Sequence, residues 1–159
     1  MLVGIHHTAL STPDVDRAVA FYRDLFGFEV AFDFAWDEGN RAFQRTHAAP
    51  ETRGRVVMLE RAGARLEVFE YAKPAPRPQP DPAGNADHGI CHFAFEVKQI
   101  EAEVERLRRA GMRFLSDPVP QAYVKCCYGR DPDGNLIELI EYFDHDVEHP
   151  APRSDGGSP

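Results

Sequence analysis

The chain states one pattern twice, and that repetition restricts the folds open to it more than any local signal does. Near the start, Ile5-His6-His7-Thr8-Ala9-Leu10 runs into a helical stretch that stops at Gly27, and the segment closes with Arg65-Leu66-Glu67-Val68-Phe69. From position 89 the order returns. Gly89-Ile90-Cys91-His92-Phe93-Ala94-Phe95 leads into a helical stretch stopping at Gly111, and the copy closes with Leu136-Ile137-Glu138-Leu139-Ile140. Two copies of one supersecondary unit fix the architecture before single residues are weighed. Each copy offers one histidine from its first strand and one glutamate from its last.

Within a copy the periodicities predict β-α-β-β-β. The first opens with a strand over about residues 3–11. Thr12 is placed to cap a helix, Pro13 suits its first turn, and Asp14 and Asp16 sit where the helix dipole favours negative charge. Val15, Ala18, Val19, Tyr22 and Leu25 recur at helical spacing, and Gly27 stops the run. A strand follows over Phe28 to Trp36. The polar segment from Asp37 to Gly54 has no clear period and reads as a loop or lid; Arg55 to Glu60 and Arg65 to Tyr71 make a hairpin turning near Ala62-Gly63. The second copy gives a strand over 89–97 and a helix over 99–110 carrying Ile100, Val104 and Leu107. Strands at 112–115, 123–128 and 136–142 complete it, the last two joined by Asp131-Pro132-Asp133-Gly134-Asn135.

These elements predict an α+β fold in which two paired βαβββ modules form a cup-shaped mixed β-sheet with helices on the outside. Residues 1–144 are expected to make a single domain, with module one at 3–72 and module two at 88–144. The segment 73–87 between them carries prolines at 74, 76, 78, 80 and 82, which favour extended solvated chain, so it is read as a linker. Residues 145–159 are read as a disordered tail.

With 159 residues, 43% of them hydrophobic, the chain can bury a real core. A formal charge of -8 disfavours nucleic acid and anionic membrane as partners. No apolar run reaches membrane-spanning length, so a cytoplasmic protein acting on a small molecule is expected. Cys91, Cys126 and Cys127 are odd in number and lack a zinc-type spacing, which argues against both a disulfide framework and a structural zinc. They read as small strand residues, with Cys126 or Cys127 as a nucleophile in a minority alternative.

Strand alternation decides which polar groups share a face. Glu138 falls among apolar neighbours on a strand that reads as buried on both faces, and an ionised carboxylate there needs a strong partner. A divalent cation is such a partner. The same parity groups His92 with Ile90 and Ala94, Glu67 with Arg65 and Phe69, and His7 with Ile5 and Ala9, while His6 is expected to point away. A single strand histidine is more often a hydrogen-bonded core or surface group than a ligand, and a single strand glutamate is usually solvated. Both types recurring at equivalent places make His7, Glu67, His92 and Glu138 a candidate metal set. His47, His88, His145 and His149 lie in loops or the tail and are assigned no role. Trp36, Phe69, Tyr123 and Tyr128 are candidates to line the site, and Arg65 and Arg130 to steady substrate oxygens.

Two such modules, with His7 and His92 opening them and Glu67 and Glu138 closing them, resemble the vicinal oxygen chelate superfamily. That family includes glyoxalase I, methylmalonyl-CoA epimerase, extradiol dioxygenases, and fosfomycin and bleomycin resistance proteins. Phe21-Tyr22-Arg23-Asp24-Leu25-Phe26-Gly27-Phe28 and Tyr128-Gly129-Arg130-Asp131-Pro132-Asp133-Gly134-Asn135-Leu136-Ile137-Glu138 carry the rest of the resemblance, which spans about residues 3–143. It implies one divalent ion per site, Mn, Fe, Co, Ni or Zn, held by the four residues with two positions left for adjacent substrate oxygens. It also implies that Glu138 and Glu67 move a proton, and that the protein works as a homodimer. The expected activity is a metal-dependent epimerase or isomerase acting beside a carbonyl of a small hydroxyketone or keto-cyclitol such as 2-epi-5-epi-valiolone. Alternatives are a glyoxalase I-type lyase on a thiol hemithioacetal, an extradiol-type dioxygenase, or a non-catalytic antibiotic-binding resistance protein.

Overall fold

The computed structural model describes residues 1–77 and 84–143, so the expected tail and the middle of the proline-rich segment lie outside the described residues. The chain divides into two compact units, Met1–Cys91 with Arg130–Leu136, and His92–Gly129 with the residues from Ile137 onward. In the first, β1 (Thr8–Ser11), α1 (Val15–Phe26), β2 (Glu29–Trp36), α2 (Arg41–Thr46), β3 (Arg53–Arg61) and β4 (Ala64–Lys73) follow in order. Their sheet runs β1-β4-β3-β2, with β1 parallel to β4 and the other pairs antiparallel. The second holds β5 (His92–Glu96), α3 (Ile100–Arg109), β6 (Arg113–Phe114), β7 (Val119–Gln121), β8 (Val124–Arg130) and β9 (Leu136–Tyr142). Here the order is β5-β9-β8-β6, with β7 added on β8. The class is α+β, a βαβββ plan twice over, with α2 inserted in the first copy and β7 added in the second.

Each sheet is covered on one face by its helix. α1 packs on β3 and β4, and its Val15, Ala18 and Tyr22 are buried together with Val57, Leu59, Leu66 and Val68, which share one face by parity. Burial of side chains of this size stabilises by roughly 1.5–3 kcal/mol each. In the second unit Ile100, Val104 and Leu107 of α3 are buried, as are Cys127, Ile137 and Leu139.

The repetition reaches the backbone. The N–H of Thr12 donates to the carbonyl of Phe69 at 2.8 Å, and that of Val97, the equivalent position, to the carbonyl of Ile140 at 2.8 Å. The first residue of each helix is held by a glutamate from the closing strand. The Val15 N–H donates to Glu70 Oε2 at 2.8 Å and the Ile100 N–H to Glu141 Oε2 at 3.1 Å. A carboxylate at a helix N-terminus satisfies an orphan donor and complements the dipole.

Some expectations are corrected. The first strand begins at Thr8 instead of residue 3, because Met1, Leu2, Val3 and Ile5 are at least 92% exposed and no strand of their unit pairs with them. Asp14, not Thr12, caps α1, its carboxylate accepting from the Arg17 N–H at 3.0 Å, while the buried Thr12 hydroxyl accepts from the Asp14 N–H at 3.1 Å. The segment expected to be a loop contains α2, capped by Asn40. β7 went unread because Pro118 and Pro120 interrupt its strand signal.

Candidate metal centre

In the first unit β4 turns Leu66, Val68 and Glu70 toward α1, so Glu67 lies on the face the helix leaves open. The register sets Ala9, Glu67, Met58 and Phe32 in one row across the sheet, and Ser11, Phe69, Val56 and Phe34 in the next. His7 stands just before β1, two residues from Ala9. Its Nε2 lies 3.1 Å from Glu67 Oε2, with both side chains partly accessible. His6 does not point away as expected. Both histidines precede the strand, so alternation does not apply to them, and the two Nδ1 atoms meet at 2.8 Å.

The second unit repeats the contact. His92 Nε2 lies 3.2 Å from Glu138 Oε2, the carboxylate being the more enclosed partner. Around it stands Tyr128, whose ring is edge-on to His92 at 5.3 Å. The buried Cys126 thiol accepts from Gln121 Nε2 at 3.4 Å. Burial first, and Glu138 second, push the Cys126 thiol up. A protonated thiol is a poor nucleophile.

Each pair has the spacing of two ligands on one ion. Donors about 2.1 Å from a cation at right angles stand about 3.0 Å apart, and about 3.4 Å apart on a tetrahedron. The observed 3.1 and 3.2 Å fit either arrangement. Without an ion, a proton on Nε2 bridges the same atoms. The imidazole-carboxylate donor set suits Mn, Fe, Co, Ni or Zn. Among the described residues no three His, Cys, Asp or Glu side chains gather into a group that could hold a metal, so the donors stand as two pairs, each inside its own unit.

The other predicted residues separate. Trp36 is buried, its Nε1–H donating to Thr52 Oγ1 at 3.2 Å, and it meets the rings of Phe69 at 6.1 Å and Tyr71 at 5.4 Å on the Glu67 face. Arg65 is engaged by Glu60, its partner in register, at 2.6 Å. Arg130 donates to the Gly134 carbonyl and so braces the turn before Glu138. Tyr123 lies between β7 and β8 with 60% of its surface exposed. A surface cavity of about 480 Å³ at the β3–β4 turn is lined by Arg61, Gly63, Arg65 and their neighbours and includes neither His7 nor Glu67. Two pairs have no role assigned from the sequence: Glu70 and Glu141, each three residues after its glutamate, and Phe43 and His47, which stand one turn apart on α2 and at its C-cap.

Two units of this plan, each bringing a histidine and a glutamate together, define the class as a duplicated α+β fold. Residues 4–139 match the family model of the Glyoxalase/Bleomycin resistance protein/Dioxygenase superfamily, and the chain belongs to that family. It is 35% identical to a 2-epi-5-epi-valiolone epimerase from Actinomyces sp over 147 residues, covering 87% of this chain and 79% of the relative. It is 28% identical to an ethylmalonyl-CoA/methylmalonyl-CoA epimerase from Cereibacter sphaeroides, covering 87% and 98%. The fold is shared with a glyoxalase family protein from Bacillus cereus, with a TM-score of 0.81 at 21% identity over 91% of this chain and 97% of that one. No helix of the described residues is long and apolar enough to cross a membrane.

Proposed function

We propose that the protein is a metal-dependent epimerase or isomerase that moves a proton beside a carbonyl in a small hydroxyketone, with keto-cyclitols such as 2-epi-5-epi-valiolone as the preferred kind. The observation that carries this reading is the duplicated His–Glu contact, at 3.1 Å for His7 and Glu67 and 3.2 Å for His92 and Glu138. The 35% identity to a cyclitol epimerase supports the substrate class. His7, Glu67, His92 and Glu138 are the proposed ligands for a divalent ion. When bound, that ion would polarise two adjacent substrate oxygens and make the neighbouring C–H more acidic.

The chain's own groups then handle the proton. Glu138, enclosed beside His92, and Glu67, on a half-buried strand face, are the proposed bases. One carboxylate takes the proton at a carboxylate oxygen. If the other, already protonated, delivers its proton to the opposite face of the planar carbon, the centre is inverted, giving epimerisation. Return by one to the adjacent carbon gives isomerisation. A cytoplasmic homodimer is proposed as the working form.

Elemental analysis of the purified protein, joined to proton NMR of hydroxyketones in deuterated buffer, tests the reading. About one divalent transition metal per chain and solvent deuterium appearing beside the carbonyl are expected, with both lost in His92→Ala and in Glu138→Ala. Full metal occupancy in His92→Ala would refute the ligand assignment. Turnover of a hemithioacetal, or oxygen uptake with a catechol, would move the assignment to a lyase or a dioxygenase. Tight drug binding by metal-free protein would make it a sequestering protein.

A further inference from the structure

The segment between β2 and β3 is a built structure, and what it builds stands on the open face of the first sheet. Lys73 at the end of β4 ties both of its ends, pairing with Glu38 at 3.2 Å and Glu51 at 2.8 Å. Thr52, fully buried, accepts from Trp36 Nε1–H and donates to the Lys73 carbonyl at 3.1 Å. α2 thereby sets Phe43 on Trp36, ring centroids 4.5 Å apart and nearly parallel, and His47 on Phe43 at 4.7 Å. Phe69 and Tyr71 meet the same cluster edge-on, His47 standing 5.8 Å from Phe69, and Phe34 joins it 5.7 Å from Phe43.

Two features turn this cluster from core into surface. Phe34 is 42% exposed and His47 is exposed, although Trp36 beneath them is buried. His47 Nδ1 lies 3.0 Å from the Phe43 carbonyl, which can only accept, so Nδ1 carries the proton and Nε2 of the neutral ring is left as an acceptor. The cluster also lies beside the candidate centre. Phe69 is one pleat from Glu67 on the same face, about 7 Å along the strand. Tyr71 is held protonated above the usual phenol range by burial and by the charge of Glu67.

We infer that this aromatic wall is the ring-binding subsite of the enzyme, on which the C–H face of a cyclic polyhydroxy ketone lies against Phe34 and Phe69 while a ring hydroxyl donates to His47 Nε2. The inference rests on the hydroxyketone reading and deepens it, because it assigns the recognition of a cyclic substrate to named side chains. His47 is its specificity-determining residue. An aromatic face suits the apolar side of a saturated ring, and a single polar acceptor at its rim orients that ring.

Trp36 is the only tryptophan of the chain, so its fluorescence reports on this cluster alone. The probes are 2-keto-myo-inositol as the cyclic ketone and dihydroxyacetone as the open-chain one. The cyclic probe is expected to change Trp36 emission saturably and dihydroxyacetone to leave it unmoved at equal concentration. His47→Ala should weaken that binding about tenfold, the loss of one hydrogen bond of about 1.4 kcal/mol, and raise KM more than it lowers kcat. His47→Gln, which keeps an acceptor, should recover part of it. A thermal melt within a degree or two of wild type confirms that the exposed substitution leaves the fold intact. Deuterium exchange of 2-keto-myo-inositol by the unaltered protein tests the proton-transfer reading separately. Exchange without any Trp36 response, or equal affinity in His47→Ala, overturns the subsite and leaves the reaction standing. A His47-dependent Trp36 response without exchange supports the subsite and removes the reaction. Silence in both removes both.

Discussion

Replacing Tyr22 by phenylalanine deletes one oxygen from an enclosed hydrogen bond and nothing else. Tyr22 is fully buried on α1, and its hydroxyl donates to Asp131 Oδ2 at 2.7 Å. Asp131, also buried, receives three further donors: the Asp133 N–H at 2.9 Å, the Asn135 N–H at 2.8 Å and the Asn135 Nδ2–H at 2.8 Å. The ring of phenylalanine refills the same space, so no cavity term arises. What remains is the removal of one donor from a buried carboxylate, about 1.5–3 kcal/mol for a hydrogen bond to a charged group. For a chain of this length each kcal/mol lowers Tm by about 2–4 °C, so a fall of about 3–12 °C is expected. Differential scanning calorimetry at pH 7 on both proteins reads it directly. Asp131→Asn should also destabilise, because its amide turns a donor toward groups that themselves donate. A Tyr22→Phe protein melting within 1 °C of the parent would show that Asp131 is satisfied without the hydroxyl and would refute the reasoning.

The helix-capping glutamates should behave as a matched pair. Glu70→Ala and Glu141→Ala each remove the acceptor at a helix start and are expected to cost about 0.5–2 kcal/mol by chemical denaturation, so a loss in one alone would break the equivalence of the units. Gly54→Ala would place a Cβ 2.3 Å from the Glu70 carbonyl oxygen and 2.7 Å from the Trp36 ring. An overpacking loss of about 1–3 kcal/mol and a shifted Trp36 emission maximum are expected, and unchanged emission would mean that the ring does not lie over Gly54. None of the three cysteines is in a disulfide, and Cys127 is pushed up to about 11, chiefly by burial. With Ellman's reagent at pH 8 the half-exposed Cys91 should react first, and Cys126 and Cys127 only on unfolding; three equally fast thiols in the native protein would contradict the buried positions.

The parts of this fold that follow from local periodicity were open to reading from residues alone. Val15, Ala18 and Tyr22 at helical spacing gave α1, and Ile100, Val104 and Leu107 gave α3, because an amphipathic helix writes its buried face into the chain. The open and covered faces of β4 followed from simple alternation around Glu67. The misses have tertiary causes. α2 is six residues long, too short for a period to show, and owes its place to Asn40, Lys73 and the ring of Trp36. The reach of β1 failed because apolar residues at 1–5 look like strand whether or not a neighbour pairs with them. His47 was set aside as a loop histidine since nothing local shows that Phe43, one turn earlier, would stack its ring against the sheet.

The glutamates of the closing strands carry a consequence for how such a protein can change over evolutionary time. Glu67 and Glu70 lie on opposite sides of β4, as Glu138 and Glu141 do on β9, one meeting a histidine and the other anchoring a helix start. A substitution of the histidine-facing member leaves the anchor in place. The scaffold therefore tolerates the gain, exchange or loss of its reactive groups one at a time, and a lineage can pass from one reaction to another, or to mere ligand capture, without crossing an unfolded intermediate.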